Sequence, residues 1–322
     1  MNGQDQKGKV SGSKGRGCFV WLGRIVVSII GLMIVGAIYE TLAEAADAKA
    51  YPPPGQLVDV GGYRLHINCT GTGSPTVIIV SGLGDWSTSW RGVVQPEVAK
   101  TTRVCTYDRA GFGWSDTSSL PSDAAQFATE LHTLLQNANV PGPYVMVGHS
   151  LGGFIVRILA HDYSSEVAGV VMIDSMNPKQ VTESLSNKLA LFSSLEAEVA
   201  RVGLGRLLVK LPAIFPSMPP GEEAYHPLLI RPQTFQTSAN EYRDLPASAA
   251  EAAAVTSFGD LPLIVLTAKL NDNPGWSEWQ TELLQLSSNS QHVFAENSGH
   301  TIQLDEPEVA VDAILKMVEL VR

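Results

Sequence analysis

The longest feature in the pattern of apolar and polar positions is a run of 15 residues without charge, IVVSIIGLMIVGAIY at 25–39. Apolar character continues from Cys18 to Gly23 on the other side of Arg24. That length lies between a signal-peptide core and a spanning helix. Because Arg24 can snorkel to the headgroups, the pattern predicts a transmembrane signal anchor over 19–40. Two other readings compete with it: a cleaved signal peptide, for which AEAADA offers small residues at the right spacing, and a buried core helix. ETLAEAADAKAYPPPGQ then reads as a linker over 41–56, with three prolines closing it.

From 57 to 322 the pattern is that of one folded domain. QLVDVGGYRLHINCTGTG alternates around a Gly-Gly turn and predicts a hairpin. PTVIIVSGLGD, TRVCTYDRAGFGWSD, YVMVGHS, EVAGVVMIDS, LPLIVLTA and SQHVFAENSGH each carry a short, nearly continuous apolar run, as expected of strands buried on both faces. AAQFATELHTLLQNANV and the closing EPEVAVDAILKMVELV have helical period. Strands alternating with helices predict an α/β fold with a doubly wound, mostly parallel sheet. Between about 175 and 260 the strands stop. Helical stretches, a proline cluster (LPAIFPSMPPG) and an alanine-rich helix (ASAAEAAAV) replace them, which reads as a helical cap over the strand ends. Its apolar segments LLVKLPAIFP and HPLLI point to a hydrophobic substrate, to the bilayer surface, or to the cap's own core.

Charge decides the orientation of the anchor. Residues 1–24 hold five cations, Lys7, Lys9, Lys14, Arg16 and Arg24, against Asp5, a net of +4, so the remainder carries −14 of the total −10. The positive-inside rule keeps the basic segment 1–18 in the cytoplasm and sends everything after Glu40 across the membrane. An acidic body disfavours nucleic acid as a partner. Of three cysteines, Cys18 lies beside the anchor with no lipobox-like run before it. Cys69 and Cys105 are a candidate pair in an oxidising compartment, or two buried thiols. No spacing of ligating residues resembles a metal site.

The candidate chemistry centres on Gly148-His149-Ser150-Leu151-Gly152, a G-x-S-x-G between an apolar strand and a helical pattern. A strand before and a helix after is the setting of a nucleophile elbow, in which the hydroxyl stands at a helix N-terminus. Serine near neutral pH needs a base. His300, in SGHTIQLDEP after the last predicted strand, has the position in the chain that a Ser…acid…His order requires. His149 is expected to point away from the serine, His66 lies on the hairpin and His226 in the cap. Two acids follow parallel strands: Asp174, ending GVVMID, and Asp272, in LIVLTAKLNDNP. An oxyanion needs two fixed N–H donors, and the amides of Leu151 and Leu83 are the candidates. The competing reading of SGLGD as a phosphate loop lacks the following lysine.

Together, SGLGDWSTSW, YDRAGFGWSD, GHSLGG and SGHTIQLDEP, in this order, resemble the α/β-hydrolase superfamily from Val58 to Val321. The resemblance implies an eight-stranded, mostly parallel sheet, a cap between the sixth and seventh strands, and no metal or organic cofactor. It also makes the second and fourth strands neighbours, bringing Cys69 and Cys105 within reach of a disulfide. In that architecture the acid more often follows the later strand, but the usual spacing falls on Asn271, one residue before Asp272, so both acids stay open. Many relatives have His-Gly where this chain has Ser81-Gly82. Relatives that open epoxides or remove halide carry aspartate at the elbow, which Ser150 disfavours. The expectation is a membrane-anchored serine hydrolase acting on small, hydrophobic carboxylic esters. Other serine chemistries of the same fold (carbon–carbon bond hydrolase, lipase, aminopeptidase, perhydrolase) and a non-catalytic binding or signalling module are the alternatives.

Overall fold

The computed structural model describes residues 14–208 and 221–322. The first part of the basic segment, with Lys7 and Lys9, and most of LLVKLPAIFP lie outside the described residues. One eight-stranded sheet organises the chain. Its strands are β1 (Gln56–Asp59), β2 (Arg64–Thr70), β3 (Thr76–Val80), β4 (Val104–Tyr107), β5 (Tyr144–His149), β6 (Val167–Ile173), β7 (Leu263–Ala268) and β8 (Ser290–Ala295). They lie in the order β1-β2-β4-β3-β5-β6-β7-β8. β1 and β2 pair antiparallel, as β2 does with β4, and β4 to β8 run parallel.

The solid apolar strands are explained by layers on both faces. In β3, Ile78 and Val80 join a core formed with helices Ala124–Asn137 and Gly152–Asp162. Val77 and Ile79 face the opposite core, against Val94 and Val98 of helix Val94–Ala99 and Ile314 and Met317 of helix Pro307–Leu320. Alternation in a strand with both faces covered leaves no position for a polar side chain. The register pairs Cys69 with Cys105 across β2 and β4, and the two form a disulfide.

β3 has β4 on one side and β5 on the other, so the chain reverses its direction of travel across the sheet there. The crevice at such a reversal, beyond the carboxyl ends of the strands, is where α/β sheets bind ligands. Over it, between β6 and β7, lie helices Glu183–Arg201, Leu204–Leu208, His226–Leu229 and Pro232–Ala254, and no strand among the described residues. Within HPLLI, Leu228 and Ile230 are buried, so that segment serves as core.

Lys14–Ala50 forms a single helix. From Phe19 onward it is long and apolar enough to cross a membrane, and its large apolar residues are exposed. That exposure removes the reading as a buried core helix. The stretch expected as a linker differs as well: ETLAEAADAKA continues the helix to Ala50, because alanine, leucine, glutamate and lysine are strong helix formers, and the break waits for Pro52.

Candidate active site

Ser150 ends the turn from β5 into helix Gly152–Asp162 with φ at +51°. Such a conformation is rare outside glycine and costs about 1–3 kcal/mol. The turn is tight enough that a Cβ on Gly148 would stand 2.6 Å from the Gly152 carbonyl oxygen, and one on Gly152 would collide with the carbonyl of Val80. Asp174, directly after β6, is the second strained residue here, with φ at +40°.

These two residues and His300 form one hydrogen-bonded line. His300 Nδ1 lies 2.7 Å from Asp174 Oδ2, and His300 Nε2 lies 3.0 Å from Ser150 Oγ. The carboxylate of Asp174 is fully buried and also accepts from the Ala268 amide (3.0 Å), Trp276 Nε1 (2.8 Å) and Asn271 Nδ2 (2.8 Å). With four donors around it the group is an acceptor only, so Nδ1 of His300 carries the proton and Nε2 presents its lone pair to the serine hydroxyl. Asp272 is exposed and no hydrogen bond joins it to His300. The register of β6 beside β7 explains the choice: Ile173 pairs with Leu266, which brings the residue after β6 beneath the loop after β7. The position of the customary acid, Asn271, supplies an amide to Asp174 instead.

The loop after β3 closes the other side. A Cβ on Gly82 would lie 3.0 Å from Cβ of Ser150, so only glycine lets this backbone approach. Leu83 follows at once, and Leu151 opens the helix behind the serine; Leu83, Ser150 and His300 line both cavities at the site. One cavity, of about 430 Å³, is walled by Met176, Val181, Leu185, Leu189, Leu245 and Trp276. The other, of about 380 Å³, carries Asp85, Thr88, Ser89, Thr301 and Gln303. Burial pushes the Asp85 carboxyl up to about 6. A larger cavity of about 570 Å³, between the N-terminal helix and the domain, contains neither Ser150 nor His300.

Two residues at the site, Arg109 and Glu241, were not singled out in the sequence, and a third, His149, was given no role there. Arg109, buried in YDRAGFGWSD, donates from Nη1 to the Ser81 carbonyl (2.8 Å) and from Nη2 to the Gly82 carbonyl (2.7 Å). Arg109 thereby ties the loop after β3 to the segment after β4. Glu241, from helix Pro232–Ala254 of the cap, accepts from Arg109 Nε (2.6 Å) and from the Gly84 amide (2.9 Å). Both ionic partners are buried, so removing one leaves the other uncompensated. Exchange Glu241→Gln is expected to lower kcat by about tenfold with little change in KM, as misaimed oxyanion donors would. An unchanged kcat would show that the loop holds its shape without the cap.

The third is His149. It points away from Ser150, as expected, but its Nε2 donates to the His300 carbonyl at 2.8 Å and so fixes the histidine loop. Burial, then the charge of His300, hold its pKa down from 6.5 to about 3. Between those values the unfolded chain takes up a proton that the folded protein does not. Stability is therefore present above pH 6.5 and is lost as pH falls toward 3. Urea midpoints should drop between pH 7 and pH 5, and a His149→Gln variant should show a shallower dependence over the same range.

A family profile described as the alpha/beta hydrolase fold matches residues 75–248, more than half of the chain. The chain belongs to the α/β-hydrolase family. An uncharacterized protein of Schizosaccharomyces pombe is 32% identical over 164 residues, 42% of this chain and 31% of that protein. The chain spans 42% of a second curated relative, so it corresponds to less than half the length of either. Among solved structures, the epoxide hydrolase CorEH superposes with a TM-score of 0.66 at 20% identity, covering 83% of this chain and 99% of that chain. An esterase from Thermogutta terrifontis gives 0.63 at 20% identity, with 83% and 98% covered. At that identity the likeness concerns the fold, which carries several chemistries. Family membership supports a hydrolase.

Proposed function

We propose that this protein is a membrane-anchored serine hydrolase that cleaves carboxylic esters through an acyl-enzyme. The observation that carries the proposal is the line Ser150 Oγ, His300, Asp174, with the Gly82–Leu83 backbone set against the serine. His300 Nε2 takes the hydroxyl proton as Ser150 Oγ attacks the carbonyl carbon. Asp174 holds the imidazolium that forms, and the amides of Leu83 and Leu151 receive the tetrahedral oxyanion. His300 then protonates the departing alcohol, and water, activated by the same imidazole, releases the acid. The largely apolar cavity suits an acyl chain. The cavity with Asp85 and Gln303 suits the alcohol portion.

The exposed apolar helix, long enough to span, supports anchoring with the basic N-terminus in the cytoplasm and the catalytic domain outside. The Cys69–Cys105 disulfide supports an oxidising compartment for that domain. Full-length protein in detergent should hydrolyse a series of chromogenic acyl esters, with kcat/KM rising with chain length from acetyl to about octanoyl as the acyl group fills the apolar cavity. Failure to turn over any ester of the series would remove the ester assignment.

A further inference from the structure

Helix Glu183–Arg201 of the cap is built inside out. The residues it buries are small: Ser186, Ala190, Ser193, Ala197 and Ala200. They pack against helix Pro232–Ala254, whose buried positions include Thr234, Thr237, Ser238, Ala239, Ala249 and Ala252. The large apolar residues point outward, with Leu185, Leu191, Phe192 and Leu195 between 53% and 63% exposed. Leu204 and Leu207 extend the row along the next helix. A helix on a domain bathed in water turns its large apolar stripe inward. Small residues between helices and large apolar ones outside is the arrangement of helices packed in lipid.

The N-terminal helix brings a bilayer to that face. It meets the cap at the end of the outward row, where a Cβ on Gly36 would collide with the Val202 carbonyl. A Cβ on Gly203, which has φ at +74°, would lie 3.1 Å from the Gly36 carbonyl oxygen and from the Tyr39 ring. Arg206 binds Glu40 and Asp47 of the same helix, each at 2.8 Å. Gly36 belongs to the apolar run and Glu40 is the first acid after it. The cap thus touches the helix across the level at which a bilayer holding that run would end. Leu185 connects this face to the chemistry, because it also lines the 430 Å³ cavity of Ser150 and His300.

We propose that the outward face of the cap, through Leu191, Phe192, Leu195 and Leu207, docks into the bilayer surface as a second membrane contact and admits apolar ester from the lipid to Ser150. The inference rests on the anchoring reading above. Since the contact is apolar and the body is acidic, zwitterionic lipid suffices.

The test uses the full chain in phosphatidylcholine vesicles whose acyl chains are brominated, with Cys18 replaced by Ala. A fluorophore is placed in turn on Ile30→Cys, Phe192→Cys and Asp312→Cys, the last on the exposed side of helix Pro307–Leu320. Quenching at 30 and 192 but not at 312 is expected. Quenching at 30 without 192 overturns the docking and leaves the anchor standing; no quenching at either overturns both. An unquenched, blue-shifted signal at 192 that reverts on dilution assigns the face to a second copy and likewise overturns the docking. In parallel, the double variant Phe192→Ser/Leu195→Ser should raise KM for a vesicle-embedded long-chain ester by about tenfold, with hydrolysis of a soluble short-chain ester unchanged. Equal losses on both esters would make the row structural and contradict the proposal.

Discussion

Exchange Ser150→Ala is expected to lower kcat for a short-chain chromogenic ester by on the order of 10⁴-fold or more. The fold should survive. Ser150 already holds φ at +51°, so the strained turn is present in both proteins and the substitution removes one hydroxyl. The unfolding free energy should stay within about 0.5 kcal/mol of the parent. Because the nucleophile and the base act as one unit, His300→Ala should cost about as much, and the double variant little more than either single one. Ester turnover within tenfold of the parent after loss of Ser150 would place the chemistry elsewhere.

The second large effect concerns the acid. Asp174→Asn should reduce kcat by roughly 10²- to 10⁴-fold, whereas Asp272→Asn should leave kcat and KM as they are. The asymmetry follows from the donors. An amide at 174 cannot accept from the Ala268 amide, Trp276 Nε1 and Asn271 Nδ2 and also hold the proton on His300 Nδ1. Asn271 allows a sharper comparison, because its amide nitrogen is 2.8 Å from the Asp174 carboxylate. In Asn271→Asp alone, two carboxylates at that separation would share a proton and weaken the support of His300. In Asp174→Asn/Asn271→Asp the carboxylate is restored one hydrogen bond away, and part of the lost activity should return. A double variant as inactive as Asp174→Asn would show that the residue after β6 is indispensable in itself.

The sequence makes plain those parts of this arrangement that have local causes. Apolar runs of strand length mark six of the strands, alternation around a Gly-Gly turn marks β1 and β2, and the strand, glycine turn and helix around Ser150 mark the elbow without reference to anything distant. His300 is legible by order along the chain. The acid is not, because Asp174 and Asp272 both end parallel strands, and only the β6 to β7 register decides which carboxylate reaches the imidazole. Glu241 is out of reach for the same reason: its partner Arg109 is 132 residues away, and the contact arises from the fold of the cap over the sheet. His149 sits beside the serine in the motif, yet its work is done on a loop 151 residues later. The linker reading of 41–50 gave weight to the three prolines over the helix-forming residues before them, and the structure reverses that weighting.

Arg109 and Glu241 tie two layers of the account together. The loop after β3 leaves the sheet, but one of the groups that hold it belongs to the cap, so the positions of the cap and of that loop are linked through a buried ion pair. If the amides of that loop receive the oxyanion as proposed, whatever positions the cap, the N-terminal helix through Gly36 and Arg206 included, should act on catalysis.

The central claim, that Ser150 is the activated nucleophile of an esterase, is tested most directly by reaction of the full-length protein with a fluorophosphonate, followed by mass mapping of the labelled peptide. The account predicts one equivalent of label per chain, on the peptide carrying Ser150, with labelling lost in His300→Ala. Absence of label from an otherwise folded protein, or label on another residue while ester turnover persists, would contradict it.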